Sequence, residues 1–311
     1  MRDFKGKTAV VTGGASGVGR CMCHVFAREG MNVVILDIEQ AALDKAVEEL
    51  SAQGATVVGV RTDVTDPDSV NAAADKSFET FGNVHLLCNN AGVGIKEAER
   101  RIWTLTPNDW SWGYAVNVMG IVNGIRAFVP RMLENDEEGH VVNTTSGNGG
   151  CFSIPTPPIY SSTKAAVTSL TEVMNFQFLT DSAKLQAHLL FPGPYLVNTQ
   201  ILASQRNRHE AFKDEEQVAD YTSMEDLKKA SAGADAEFKL TEPEEVAESC
   251  LDGIRNDQFW IRPFTEEAQD RVKVRHESLL NNTNPVSVSY THLRAHETRE
   301  DLVCRLLREK K

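Results

Sequence analysis

Short β-branched runs alternate with longer amphipathic stretches between residues 7 and 191, and this alternation limits the fold more than any other feature. Strands that alternate with helices indicate a parallel sheet covered by helices on both faces. Right-handed crossovers between such strands then give a doubly wound α/β fold. The strand-like segments are KTAVVT, NVVILD, TVVGVRTD, VHLLCNN, HVVNTTS and LQAHLLFPG.

Helical periodicity fills the gaps between these strands, near residues 18–29, 39–52, 67–80, 109–134 and 159–180. From Pro194 to Lys239 the pattern breaks into a charged stretch that we predict to be helical. Thr241 is predicted to cap a further helix, and QFWIRP is predicted to complete the sheet. No repeat or linker divides the chain, so we predict one domain over residues 1–288, with a substrate-loop excursion at 194–240.

The segment VVTGGASGVGR follows the first strand and opens a helix, as a phosphate-binding loop does. Gly13, Gly17 and Gly19 permit a tight turn and let backbone N–H groups approach a pyrophosphate at the positive end of the helix. A strand–helix turn without any ligand would explain the glycines equally well, so the loop needs a second observation.

Asp37 provides that observation, because it ends the second strand about 20 residues past the glycine loop. A carboxylate there can accept hydrogen bonds from the adenosine ribose hydroxyls and would repel a 2′-phosphate. Ser16 and Ile38, beside these two positions, bring no cation. The predicted cofactor is therefore NAD rather than NADP, the alternative being that Asp37 only forms a turn.

Tyr160 and Lys164 stand four residues apart in PPIYSSTKAAVTSL, at the start of a predicted helix. At 3.6 residues per turn they lie on one face, one above the other. The same spacing arises by chance in ordinary chains, so the pair alone does not indicate chemistry.

Together these motifs resemble the short-chain dehydrogenase/reductase family, in its shorter single-domain subtype. The matches, in chain order, are T-G-x-x-x-G-x-G from Thr12 to Gly19, NNAG from Asn89 to Gly92, VNVMG with Asn117, VVNTTSG with Ser146, Y-x-x-x-K at Tyr160 and Lys164, and FPGPYLVNT after the sixth strand. Ser146 and Tyr160 are 14 residues apart (160 minus 146) where the family often has one fewer, which implies a slightly longer loop. The resemblance implies a single-domain Rossmann-type doubly wound parallel sheet with helices on both faces.

The resemblance also implies an NAD-dependent oxidoreductase acting on CH–OH groups, with Tyr160 as the general acid/base. A phenol with a pKa near 10 is a poor base at neutral pH, and lowering that pKa by about three units requires about 4 kcal/mol. The Lys164 ammonium one helical turn away can provide much of it in a partly desolvated pocket, and the nicotinamide charge adds to it.

The remaining catalytic roles follow from the resemblance. Ser146 is expected to donate a hydrogen bond to the substrate oxygen, and Lys164 to bond the nicotinamide ribose. Asn117 is expected to hold a water that connects Lys164 to solvent. Two plainer interpretations stay open: Asn117 as a helix residue that bonds a carbonyl, and Ser146 as a turn former.

The resemblance assigns cofactor contacts to residues in each strand-end loop. They are Gly13, Ser16, Gly17, Val18, Gly19, Asp37, Asp63, Val64, Asn90, Gly92, Tyr160, Lys164, Pro192, Gly193 and Thr199. Asp63 and Val64 are expected to flank the adenine, and Thr199 to reach the carboxamide. Asp63 could instead cap the helix that begins at Pro67, unless Asp66 takes that role.

The substrate wall is expected from Thr145 to Tyr160, from Pro194 to about Lys239 and around Lys96 to Trp103. Its apolar members are predicted to be Cys151, Phe152, Ile154, Ile159, Tyr195, Leu196, Ile201 and Leu202, beside the pliant Gly147, Gly149 and Gly150. No cation is expected there except Arg206 and Arg208, which we predict to lie on a solvated helix face. We therefore hypothesise a neutral or hydrophobic secondary alcohol or its ketone as substrate.

Two other functions fit parts of the pattern. A nucleotide-sugar epimerase or dehydratase would share the Tyr and Lys, but that subtype usually has T-G-x-x-G-x-x-G and a longer C-terminal region. A catalytically silent NAD-sensing regulator would keep the fold, although loss of at least one of the four catalytic positions would then be expected. In relatives the helices at 109–134 and 159–180 pack between subunits, so a homodimer or homotetramer is expected.

Composition limits which other classes of function the chain can have. The net charge of −12 disfavours general binding to nucleic acid or to a membrane surface. Neither a leader-like apolar run nor about 18 consecutive apolar residues occurs, so we expect no membrane span. Six cysteines without a C-x-x-C pair suggest a reduced cytoplasmic protein. We predict no metal site, taking Cys21, Cys23 and His24 as helix residues.

The last residues, 289–311, differ in character from the rest of the chain. They resemble translated sequencing-adapter read-through, and we expect them to be a non-native tail in place of the true C-terminus. A natural basic amphipathic helix is the alternative.

Overall fold

The computed structural model describes residues 1–97, 100–213, 223, 225 and 239–285. Its main feature is a seven-stranded, fully parallel sheet in the order β3-β2-β1-β4-β5-β6-β9. The seven strands are β1 (Thr8–Thr12), β2 (Asn32–Asp37), β3 (Val57–Arg61), β4 (Leu86–Asn89), β5 (Gly139–Thr144), β6 (Leu185–Leu190) and β9 (Trp260–Ile261). A separate parallel pair is formed by β7 (Leu196–Val197) and β8 (Leu240–Thr241).

Helices connect the strands. The α-helices of a turn or more that the described residues form are α1 (Gly17–Arg28), α2 (Gln40–Ala52), α3 (Pro67–Phe81), α4 (Pro107–Tyr114), α5 (Gly120–Glu134), α6 (Pro158–Thr180), α7 (Pro243–Arg255) and α8 (Glu266–Leu280). Shorter segments are a helical turn at Gly147–Gly150 and 3₁₀ segments at Ile102–Thr104, Gln200–Asn207 and Glu210–Phe212. The predicted doubly wound, Rossmann-type sheet is thereby confirmed.

Alternation along the strands explains how the sheet is covered. Val11 faces a core that also contains side chains of α1, α2 and α7, whereas its neighbour Val10 faces the core under α3, α5 and α6. Successive strand residues point to opposite faces, and a parallel strand covered on both faces needs apolar residues at every position. All five residues of β1 are accordingly buried.

The long helix predicted at 109–134 is in fact interrupted. Between α4 and α5 lies a π-helical segment, Ala115–Met119, with Asn117 at its centre. Such a bulge inserts an extra residue into the helical turn and is common at functional sites. The apolar pattern runs through it without a break, which is why the sequence predicted one continuous helix.

The region around β7 and β8 differs from one further prediction. The N-cap of α7 is Glu242, which forms a capping box with Glu245, and the hydroxyl of Thr241 instead accepts the N–H of Tyr195 at 2.9 Å. In the excursion predicted at 194–240, residues 194–213 contain β7 and 3₁₀ segments, and most of the rest of the excursion lies outside the described residues. Residues 289–311 lie outside the described residues.

Within the part of the chain that the structure describes, no helix combines the length and the apolar character that crossing a membrane requires.

Candidate active site

A cavity of about 720 Å³ opens at the carboxyl ends of the central strands. Its walls come from the loops after β1, β2, β3, β4, β5 and β6 and from the first turn of α6. In a sheet of order 3-2-1-4-5-6 these ends surround the point where the winding direction reverses, which is where such sheets bind ligands. The predicted site residues therefore converge because of the topology.

The glycine loop has the shape that a phosphate cradle requires. Gly13 and Gly17 have positive φ angles of 63° and 51°, and both line the cavity. Gly19 does not line it: a Cβ on Gly19 would lie 2.2 Å from the carbonyl oxygen of Gly13, so glycine lets α1 pack against the loop. The loop thus fits a dinucleotide pyrophosphate at the start of α1.

Thr12 ties this loop to the one after β4. Its hydroxyl oxygen accepts the N–H groups of Asn90 and Ala91 at 2.9 and 3.0 Å, and the amide of Asn90 donates to the Thr12 carbonyl at 3.2 Å. These bonds hold Asn90 and Gly92 on the cavity wall, facing the glycine loop.

Asp37 lies at the end of β2 with 8% of its surface exposed, and it lines the cavity. Its carboxylate accepts the N–H of Ala15 at 3.0 Å and the N–H of Glu39 at 3.0 Å. Burial raises the pKa of this carboxyl, and those two hydrogen bonds act to lower it. Each oxygen retains a lone pair that can accept a ribose hydroxyl.

A cation, Arg206, is exposed as predicted, but it also contacts Glu39, two residues after Asp37. Arg206, in the 3₁₀ segment Gln200–Asn207, bonds Glu39 at 2.7 Å, and Asn207 bonds the same oxygen at 2.8 Å. Glu39 and Arg206 both line the cavity. Glu39 neutralises the Arg206 guanidinium. The ion pair therefore holds the 3₁₀ segment at the Asp37 end of the cavity without adding a net positive charge there.

The other predicted cofactor contacts lie in the same cavity. Asp63, Val64, Pro192, Gly193 and Thr199 line it, as do Ser16 and Val18. Asp63 accepts the N–H of Thr65 at 2.9 Å, while Asp66 accepts the N–H of Asp68 at 3.0 Å and caps α3. Asp66 therefore takes the cap role that the sequence left open between the two acids.

Tyr160, Ser146 and Lys164 share one wall of the cavity. Ser146 lies close enough to the Tyr160 phenol to act on its pKa, and Lys164 Nζ lies 5.4 Å from the centroid of the Tyr160 ring. Lys164 is 4% exposed and donates to the carbonyl oxygen of Thr144 at 3.0 Å. One helical turn and one strand end thus bring together a phenol, a hydroxyl and an ammonium.

Burial acts on both ionisable groups of this cluster. It raises the pKa of the Tyr160 phenol, against the hydrogen bond from Ser146, and it lowers the pKa of Lys164 to about 8. Burial thus favours the neutral form of each group over its charged form. A phenolate and an ammonium in one pocket would offset each other's desolvation.

Asn117 lies behind this cluster and is fully buried. Its Oδ1 accepts the N–H of Val93 at 2.8 Å, and its Nδ2 donates to the carbonyl of Val93 at 3.1 Å and to Thr163 at 3.3 Å. A Cβ on Gly92 would lie 3.4 Å from Asn117 Oδ1 and 3.7 Å from Lys164 Nζ. The side chain thus joins the π segment to the β4 loop beside Lys164.

The substrate end of the cavity agrees only in part with the predicted wall. Gly147, Phe152, Ile154, Tyr195, Leu196, Ile201 and Leu202 line it, whereas Gly149, Gly150, Cys151 and Ile159 do not. From the stretch 96–103 only Glu97 lines it among the described residues, and Trp103 is 79% exposed.

Arg208 was predicted to be solvated, and this prediction is wrong. Its side chain is 8% exposed, bonds Asp109 at 2.8 Å and lies over the Trp112 ring at 5.2 Å. Asp109 also bonds Arg100 at 2.7 Å. Arg208 and Asp109 are 99 residues apart in the sequence, so their ion pair could not be predicted from the sequence.

Several lining residues were not predicted. They are Trp112, Phe264, Ala268 and Arg271, the last two on α8, whereas Glu97, His209 and Phe212 lie in stretches predicted for the wall without having been singled out. Nothing in the sequence indicated α8, because this helix carries no family motif. For Glu97 a signal existed, since PTPPIY starts a helix without a capping side chain.

One cluster elsewhere has atoms placed to share a cation. Glu138, His140 and Asp257 each offer a ligand atom, all within 4.8 Å of one another. The ammonium group of Met1 already bonds Glu138 at 3.2 Å and Asp257 at 3.3 Å. None of the three lines the active-site cavity.

A family model described as short chain dehydrogenase matches residues 7–210, which span this whole set of loops. The chain belongs to the short-chain dehydrogenase family. A short-chain dehydrogenase/reductase from Burkholderia phymatum, solved in complex with NAD, is 38% identical, with a TM-score of 0.81, and the match covers 92% of this chain and 99% of that one.

Two curated relatives of this short-chain dehydrogenase are named for oxidoreductase activities. A C alpha-dehydrogenase from a Sphingobium species is 30% identical over 92% of this chain and 89% of the relative. A CLA biosynthesis dehydrogenase/reductase from Lactiplantibacillus plantarum is 29% identical over 88% of this chain and 94% of the relative. The class of the chain is therefore that of an oxidoreductase.

Proposed function

We propose that this chain is an NAD-dependent oxidoreductase that interconverts a neutral or hydrophobic secondary alcohol and its ketone, with Tyr160 as general acid/base. The observation that carries the proposal is the shared cavity wall of Tyr160, Ser146 and Lys164, in the same cavity as Asp37. The residues proposed for proton transfer and the residue proposed for cofactor recognition thus line the same cavity.

The residues present fit a dinucleotide, since the glycine cradle, Asp37 and the β4 loop all face one space. NAD, when bound, takes or returns the hydride at the carbinol carbon. Ser146 donates to the substrate oxygen, and the Tyr160 phenolate, which the Lys164 ammonium stabilises, takes up the alcohol proton during oxidation and becomes the neutral phenol. Asn117 fixes the β4 loop beside Lys164 and is our candidate for holding the relay water.

NAD is preferred over NADP in this proposal because of Asp37. A buried carboxylate that keeps lone pairs for ribose hydroxyls would repel a 2′-phosphate, and Arg206 is already paired with Glu39. The NAD bound by the Burkholderia relative supports the same choice.

The neutral character of the substrate rests on the lining beside Tyr160. Phe152, Ile154, Leu202 and Phe212 are apolar, and Trp112 adds an aromatic surface. Arg271, the cation of α8 in this lining, bonds Glu267 and lies over the Phe152 ring at 5.6 Å. Its charge is thus partly neutralised, which favours a substrate without a carboxylate.

A homodimer or homotetramer is also proposed. Val173, Phe176 and Leu179 on α6 are 51%, 61% and 69% exposed, and Met119 and Leu133, just before and within α5, are 46% and 42% exposed. Apolar side chains at this density on two long helices would be covered by a second copy. We place the protein in the cytoplasm, since the five described cysteines are unpaired.

The proposal is tested with a panel of secondary alcohols and of 2-hydroxy acids, each with NAD and with NADP, followed at the nicotinamide absorbance. We expect turnover of apolar alcohols with NAD and higher kcat/KM than with NADP. Better turnover of the hydroxy acids would contradict the substrate class, and no turnover of any alcohol or ketone would contradict the enzymatic proposal.

A further inference from the structure

A buried carboxylate from the β4 loop reaches the helix that carries Tyr160. Glu97 is 0% exposed. Its Oε2 accepts the N–H of Ile159 at 2.6 Å, and its Oε1 accepts the N–H of Tyr160 itself at 2.9 Å. The carbonyl oxygen of Glu97 also accepts the Thr156 hydroxyl at 3.3 Å.

These bonds complete the first turn of α6. A helix leaves its first N–H groups without partners inside the helix, and a capping side chain usually accepts them. Here the cap position is Pro157, which has no side-chain acceptor, and neither Pro157 nor Pro158 has an N–H. Ser161 N–H bonds the Pro157 carbonyl at 3.1 Å, so the two remaining donors, on Ile159 and Tyr160, both go to Glu97.

The same loop also contacts the cofactor end of the cavity. Asn90 and Gly92 line it, and Val93 is bonded to Asn117. Glu97 therefore links the loop that would touch the nicotinamide half of the cofactor to the backbone of the residue that exchanges the proton. A carboxylate at a helix N-terminus is also favoured by the helix dipole.

We propose that Glu97 is a positioning residue, whose carboxylate sets the location of the Tyr160 hydroxyl relative to Ser146, Lys164 and the cofactor; this rests on the proposed function. A displacement of about 1 Å in an active site can cost about 100-fold in rate. Glu97 contacts no reacting atom in this scheme and acts through the backbone of Tyr160.

The hold of Glu97 depends on its charge. Burial raises the pKa of Glu97 to about 7, and the negative charge of Asp109 adds to this, while the two N–H bonds and Arg100 act to lower it. Arg208 faces the same region through its bond to Asp109. The ionised carboxylate accepts both N–H groups well, whereas the protonated acid has one good acceptor oxygen. The helix turn is thus held best above about pH 7.

The test compares the wild type with Glu97→Gln, which keeps the shape but has one acceptor oxygen at every pH. We measure kcat for alcohol oxidation per NAD-binding site from about pH 6 to about pH 9. The ratio of the wild-type kcat to the Glu97→Gln kcat is expected to rise with pH, from under about threefold at about pH 6 to about tenfold or more at about pH 9. The KM values of the two proteins for NAD are expected to agree within about threefold. A ratio that does not change with pH overturns the proposal.

Two further variants complete the design. Asp66→Asn removes a carboxylate that caps α3 by accepting the N–H of Asp68 at 3.0 Å. The ratio of wild-type kcat to Asp66→Asn kcat is expected to stay near 1 at every pH. A ratio that changes with pH in this control would show that the effect is not specific to Glu97. If Glu97→Gln fails to bind NAD, Glu97→Asp replaces it, because the shorter acid can reach only one of the two N–H groups. Its kcat is expected to fall with KM for NAD unchanged, and a wild-type kcat overturns the proposal.

A second readout does not need a substrate. The phenolate absorbance of Tyr160 is isolated by subtracting the titration of Tyr160→Phe, in the wild type and in Glu97→Gln. We expect a higher midpoint in Glu97→Gln, because Tyr160 moves away from Ser146 and Lys164, and equal midpoints overturn the proposal. A wild type that is inactive on every alcohol would refute the proposed function, while this titration would still decide the role of Glu97.

Discussion

At the residue scale, the proposed chemistry depends on two charges, on Tyr160 and Lys164, that burial opposes. The phenol of Tyr160 has its pKa raised by burial, and the ammonium of Lys164 has its pKa lowered to about 8. The four-residue spacing of Tyr160 and Lys164 predicts the attraction between the two groups. The structure adds the desolvation cost, so a working phenolate needs the Ser146 hydrogen bond and the positive nicotinamide as well as Lys164.

Asp37 determines the expected cofactor preference. Asp37→Asn keeps the shape but removes the charge, so the variant repels a 2′-phosphate less and bonds the ribose less strongly. We expect kcat/KM with NAD to fall about tenfold and the preference for NAD over NADP to narrow by about 100-fold, since a hydrogen bond to a charged group contributes about 1.5–3 kcal/mol. Steady-state kinetics with both cofactors measure this.

The control for this change is Asp44→Asn, an aspartate on α2 whose partner is Gln40. It should leave both kcat/KM values unchanged. An unaltered preference in Asp37→Asn would mean that Asp37 does not contact the ribose.

At the element scale, strands were predicted better than helix interruptions. The strands of the sheet follow from short apolar runs, which are mostly buried in β1, β2, β4, β5 and β6, and such runs are a local property of the chain. The π segment at Ala115–Met119 is not local: it is held by Asn117 bonding Val93 from another loop. In the same way, the Thr241 hydroxyl is used by Tyr195, and α7 begins one residue later.

The residues of the site divide in the same way, into those set by the local sequence and those set by contacts between distant parts of the chain. Motif positions such as Ser146, Tyr160 and Asp37 could be predicted, because strand ends in this fold meet at one edge of the sheet. The partners of Glu97 and Arg208 could not be predicted, because they lie 62–63 and 99 residues away in the sequence, and only the packed fold brings them together.

The neighbouring strands β5 and β6 contain a buried histidine pair that should make stability fall in acid. His140 bonds His188 at 2.8 Å, and burial lowers the pKa of His140 to about 2 and also lowers that of His188. Unfolded histidines take up protons below about pH 6.5 while the native pair does not, so native stability is present above that pH and is lost as pH falls. His140 should contribute a loss of about 2 kcal/mol at pH 5, and His188 should add to that loss.

Urea unfolding at pH 7 and pH 5 measures this loss. His140→Asn should be less stable at pH 7 but should lose less on acidification than the wild type. His276→Asn, a change at an exposed histidine of α8, should retain the full dependence. An equal pH dependence in the wild type and His140→Asn would contradict the assignment.

At the scale of the whole molecule, the exposed apolar face of α6 predicts association. Phe176→Glu places a charge where Phe176 is 61% exposed between Val173 and Leu179, and we expect it to convert the oligomer to a monomer. Light scattering after size-exclusion chromatography gives the mass directly. Leu280→Glu, at an 84% exposed leucine at the end of α8, should leave the mass unchanged. A wild type that is already monomeric would contradict the proposed oligomer.

The central claim is that Tyr160 exchanges the substrate proton in a cavity that also binds NAD, and Tyr160→Phe tests it most directly. Removing one hydroxyl should lower alcohol oxidation by about 100-fold to 10,000-fold, while the Kd for NAD from calorimetry stays within about threefold. Full activity in Tyr160→Phe, or equal inactivity in the wild type despite normal NAD binding, would contradict the account.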